Sequence, residues 1–147
     1  MPLVYRSMKS DSEDESRPML GDSASCLGVR VPPSKNCDII PDELNCVHPK
    51  SGGMSVAPHW TDLKYFRIPK RLKDKYPGAS GNNSLKCWKM GEGDFESAKL
   101  TAGLYLRPDE GDSPKHGVVE PDSSMSLQTN QKRIADTQDH WSVDEEI

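Results

Sequence analysis

The stretch Pro49-Lys50-Ser51-Gly52-Gly53-Met54-Ser55-Val56 decides how the rest of the chain is read. Two adjacent glycines can adopt the positive φ angles that side-chain-bearing residues resist. Consecutive N–H groups in such a turn can converge into a concave nest for phosphate or another anion. Met54, Ser55 and Val56 then begin a short strand, because Ser and Val suit a pleated surface. The plainer alternative is a tight turn between two strands, and a two-glycine motif alone does not separate the readings. The surroundings must decide.

The chain has 147 residues, enough for one domain (1–147) with a real core and too few for two ordinary ones. Its hydrophobic share of 33% is low, and 11 glycines and 12 prolines predict many loops, short strands and a small core. The acidic run 11–16 and the end 142–147 are expected to be flexible. A formal net charge of -4 argues against a generic nucleic-acid binder, whose footprint is strongly basic. No apolar run is long enough to span a membrane, and Met1-Pro2-Leu3-Val4-Tyr5-Arg6 lacks the apolar core of a secretory signal. The expected setting is therefore cytoplasmic, or the cytoplasm of a cell into which the protein is delivered by some other route. Cys26, Cys37, Cys46 and Cys87 form no Cys-x-x-Cys pair, so no metal site is expected, and reduced thiols are the simpler reading.

Working outward, Leu3-Val4-Tyr5 reads as a first strand ended by Arg6, and Leu27 to Val31 as another, stopped by Pro32-Pro33. Between Trp60 and Tyr76, six lysines and arginines interleave with Tyr65, Phe66, Ile68, Leu72 and Tyr76. Such a segment either docks an acidic or nucleic-acid partner, or packs its apolar residues inward while its cations meet water. Pro69 and Pro77 exclude one long basic helix. Further strands are expected at Leu85–Met90, Leu104–Leu106 and His116–Pro121. In the last, even spacing puts His116, Val118 and Glu120 on one face, where a histidine and a carboxylate can serve one pocket. One helix is expected after a Ser126 cap, with Leu127, Ile134 and Trp141 at seven-residue spacing on its packed face, followed by a frayed acidic end.

In order, Tyr5-Arg6, Ser51-Gly52-Gly53-Met54-Ser55-Val56, Ile68-Pro69-x-x-Leu72, Gly103-Leu104-Tyr105-Leu106, His116-Gly117-Val118-Val119-Glu120-Pro121 and Met125-Ser126-Leu127 resemble the NAD-dependent ADP-ribosyltransferase toxins typified by the second exported effector of type VI secretion. The resemblance runs as scattered short motifs from Leu3 to about Trp141. It implies a small α+β fold of the ADP-ribosyltransferase kind, with two short, mostly antiparallel sheets around an NAD cleft and few helices. It further implies that Gly53, Met54 and Ser55 occupy the family's Gly-Thr-Ser turn and that His116 is its essential histidine. Tyr5-Arg6 matches the Tyr-Arg at the end of the family's first strand, where an arginine can face the NAD phosphates. Met54 departs from the expected threonine, and Gly117 stands where an aromatic is common.

On this reading Ser55, His116 and Glu120 are the candidate catalytic residues, and Tyr5, Arg6, Gly52, Gly53 and Met54 the candidate NAD-binding ones. Breaking the nicotinamide–ribose bond builds positive charge on the ribose, as in glycoside hydrolysis, and a preorganised polar wall would stabilise it. Arg6 could pair with pyrophosphate through its planar fork, and His116 could bond a ribose hydroxyl. NAD would be a substrate, ADP-ribose would pass to a protein or nucleic-acid acceptor, and an immunity protein is a possible partner. The rival reading is a catalytically inactive binding protein of the same fold that works through the basic segment 64–75.

Overall fold

A computed structural model describes residues 1–147. The chain forms a small α+β domain of nine short strands, one α-helix and several single 3-10 turns. The first large sheet has the order β1-β4-β9, from Val4–Lys9, Leu85–Met90 and Ser142–Val143. The second has the order β3-β7-β6-β5, from Met54–Val56, Gly117–Pro121, Leu104–Pro108 and Ala98–Thr101. A two-stranded ribbon pairs β2 (Cys46–Val47) with β8 (Met125–Ser126), and every named pair is antiparallel. The two large sheets meet where Tyr5 and Ala57 exchange main-chain hydrogen bonds of 2.8 and 2.9 Å.

Period-two alternation divides the interior. From the first sheet, Val4, Met8, Trp88 and Met90 enter the larger core, where they join Met54, Val56, Leu104, Leu106 and Val119 of the second. The other face of the first sheet sends Tyr5 and Cys87 into a separate core with Trp60, Ile68, Leu72 and Ala79. The basic segment thus contributes Ile68 and Leu72 to packing, while Tyr65 and Phe66 stay exposed.

The helix α1 spans Leu127–Ala135, and the Ser126 hydroxyl accepts the Thr129 N–H at 3.0 Å as its cap. Trp141 lies beyond it. A 3-10 turn at Gln138–His140 brings Trp141 to the same core, and its indole N–H donates to Thr137 Oγ1 at 2.9 Å.

Several expectations need correction. Arg6 sits inside β1 rather than at its end. Leu27 to Val31 forms no strand, although Leu27, Gly28 and Val29 are buried, because they belong to an irregular segment that packs beside β1 without pairing along it. The strands β2, β5, β8 and β9 are not expected from the sequence: β2, β8 and β9 have two residues each, too short to display a period. The acidic end is fastened rather than frayed. Tyr5 donates its hydroxyl to Asp144 at 2.6 Å, Arg71 grips both Glu145 oxygens at 2.7 and 2.6 Å, and the Trp60 indole donates to the Glu146 carbonyl at 2.6 Å. No helix is long and apolar enough to cross a membrane.

Candidate functional site

Beside the junction of the two large sheets opens a cleft of about 790 Å³. That volume lies within the roughly 300–1,000 Å³ usual for small-molecule sites. Arg6 reaches it from β1, Ser55 from β3 and His116 from the residue before β7, so three of the eight expected site residues converge from far apart in sequence. Arg30, Lys64, Arg67 and Lys115 also line it, whereas Asp62 and Asp109 are its only carboxylates. The cleft therefore carries a surplus of positive charge and suits an anionic ligand.

Ser55 faces the cleft because Met54 and Val56, its neighbours in β3, point into the core. Its hydroxyl makes no hydrogen bond within the protein, while its carbonyl accepts from Arg6 NH1 at 2.8 Å. His116 is about half exposed and places Nδ1 2.9 Å from Asp109 Oδ2. With Nδ1–H donating to that carboxylate, Nε2 is left without a protein partner. A ring oriented by a carboxylate, with a free nitrogen, and a free hydroxyl in the same cleft can bind a sugar or orient a leaving group.

Arg6 is only 5% exposed, and the fork that the resemblance aims at pyrophosphate is otherwise engaged. Nε and NH2 donate to the Cys26 carbonyl at 3.1 and 2.9 Å, NH1 to the Ser55 carbonyl, and NH2 also to the Ala24 carbonyl at 3.5 Å. Four of the five N–H donors of a guanidinium are thereby used. Burial lowers its pKa to about 10, which leaves it a cation at neutral pH. Arg6 is the pin that fastens the irregular segment around Cys26 to β1 and β3.

The remaining five candidates do not line the cleft. Tyr5 is 3% exposed and faces the smaller core, with burial and the Asp144 carboxylate pushing its hydroxyl pKa up. Met54 is buried in the larger core, so a methionine in place of threonine removes no hydroxyl from the cleft. Gly52 and Gly53 are needed for close approach. Gly52 has φ +109°, a Cβ on it would lie 2.2 Å from the Asp38 carbonyl oxygen, and one on Gly53 would lie 2.2 Å from that of Val119. The Gly53 N–H is taken by the Asp38 carbonyl at 2.9 Å.

Glu120 is the anion that the turn does hold. Its Oε2 accepts the Lys50 N–H at 2.7 Å, Oε1 accepts Arg107 Nε at 2.7 Å, and the residue is 1% exposed. It does share a sheet face with Val118, as the even spacing predicts, but its carboxylate ties β7 to β6 and to the glycine turn. Glu120→Ala is expected to cost about 2 kcal/mol, because it empties a buried side-chain site and leaves a part-buried N–H and an arginine without their acceptor. Chemical denaturation with circular dichroism measures this, and an unchanged midpoint would remove the structural role.

Arg67, Arg30, Lys115 and Asp109 join the site without having been singled out by sequence. Arg67 stood within the basic segment, where spacing alone could not separate it from solvated neighbours. No protein-family model matches the chain, and no curated protein is found similar to it.

Proposed function

We propose that the protein is an NAD-dependent ADP-ribosyltransferase of the toxin-like kind, with an ADP-ribosyltransferase-type fold, that breaks the nicotinamide–ribose bond and passes ADP-ribose to an acceptor. The observation that carries this reading is the convergence of Arg6, Ser55 and His116 on one basic cleft at the junction of two antiparallel sheets. Excess positive charge favours a dinucleotide diphosphate, and the Ser55 hydroxyl and His116 Nε2 offer unpaired polar atoms for the nicotinamide ribose. Asp109 acts through His116: it fixes the imidazole and would stabilise a positive charge shared between that ring and a ribose losing nicotinamide.

The test is nicotinamide release from NAD, followed by chromatography with the full chain. His116→Ala is expected to lower the rate at least about a hundredfold, the scale on which one preorganised polar group acts, and Ser55→Ala less. Release that proceeds unchanged in His116→Ala, or no release by the wild type, would overturn the reading.

The inactive-binder alternative draws less support. Arg71 is engaged by Glu145, and Lys75 donates to the Glu145 carbonyl at 2.9 Å, so part of the basic segment is bound internally.

A further inference from the structure

We propose that Arg67 is the anion anchor of the cleft and grips a diphosphate, with Lys64 and Lys115 adding charge around it; this assignment rests on the dinucleotide reading above. Three arginines line the cleft, and their hydrogen bonds separate them. Arg6 is clamped by main-chain carbonyls. Arg30 forms a bidentate pair with Asp38, Nε to Oδ2 at 3.1 Å and NH2 to Oδ1 at 2.8 Å, and is neutralised there. Arg67 has no carboxylate partner; its guanidinium makes a single long contact, NH1 to Ser25 Oγ at 3.4 Å. Lys64 and Lys115 are exposed and, like Arg67, outside every ion pair of the molecule.

The backbone beneath Arg67 is fixed in advance. It closes the 3-10 turn Tyr65–Arg67, its N–H donates to the Lys64 carbonyl at 2.7 Å, and its own carbonyl accepts the Ser7 hydroxyl at 2.6 Å. The next residue, Ile68, is wholly buried. Above that support the guanidinium carbon lies 5.7 Å from the centre of the Phe66 ring, within cation–π range. Burial, and then the charge of Arg30, lower the Arg67 pKa, with Asp38 opposing them. Positive charge is thus crowded at this end of the cleft, and a bound anion would relieve it. Asp62 and Asp109 are the opposing charges that face the cleft, and Asp109 is engaged by His116.

Inorganic pyrophosphate and ADP-ribose serve as probes in calorimetric titrations of the full chain. Both are expected to bind the wild type, more weakly as salt rises. Arg67→Ala is expected to weaken both about ten- to a hundredfold, with Arg67→Lys between the two and the melting temperature of each variant near that of wild type. No pyrophosphate binding by the wild type, or equal binding by Arg67→Ala, overturns the assignment. A variant that melts early is replaced by Arg67→Lys, whose binding must then fall below wild type for the assignment to stand. Pyrophosphate binding that depends on Arg67, in a protein that releases no nicotinamide from NAD, would uphold the anion anchor and overturn the transferase reading alone.

Discussion

Arg6→Ala is expected to destabilise the protein by about 3–5 kcal/mol, a loss set by what the guanidinium holds rather than by any ligand. Removing it leaves the Cys26 and Ser55 carbonyls without their buried donor, at about 1–3 kcal/mol for each acceptor that water cannot reach. A cavity beside Val4 and Met8 adds to this, and the relieved cost of burying a charge subtracts from it. Arg6→Met separates the contributions: it keeps most of the volume but not the donors, and is expected to lose about 2–3 kcal/mol. Urea denaturation measures both. If Arg6→Met were as stable as wild type, the carbonyl clamp would be dispensable and Arg6 would be free to serve a ligand after all.

Truncation after Val143 comes second. It removes the Asp144 acceptor of Tyr5, the bidentate Glu145 partner of Arg71 and the Glu146 acceptor of the buried Trp60 indole. The loss is expected to reach about 4 kcal/mol and to lower the melting temperature by roughly 10 °C. A finer version titrates the same fastening. Burial alone would raise the Asp144 pKa, but the hydrogen bonds from Tyr5 and the Glu146 N–H, together with Lys89, hold it below its ordinary value. A carboxylate with a lowered folded-state pKa stabilises above its unfolded pKa, and that contribution fades as pH falls through the folded one. The wild type should therefore lose tail stability below about pH 4, and Asp144→Asn, already lacking the charge, should lose less over the same range. Hydrogen exchange of the Trp60 indole N–H reports it. Identical acid profiles for the two proteins would count against the fastening.

The sequence made some of this legible and hid the rest for physical reasons. Strand composition locates β1, β3, β4, β6 and β7, and alternation within β3 puts Ser55 on the opposite face from Met54 and Val56. Val118 and Glu120 alternate with Val119 in β7, but His116 precedes the strand, and the bonds from Arg107 and Lys50 to Glu120 are long-range and leave no local pattern. In sequence the glycine pair fits an anion nest or a plain tight turn alike; the nearness of the Asp38 and Val119 carbonyls, which explains both glycines, is a property of tertiary packing. Arg67 escaped because a 3-10 turn of three residues has no amphipathic period to mark which cation points inward.

The only main-chain pairing between the two large sheets is Tyr5–Ala57, backed by the Arg6–Ser55 hydrogen bond and by the core the sheets share, and the cleft opens beside it. A ligand that bridged Ser55 on one sheet and Arg67 on the segment packed against the other would act as a brace across that joint.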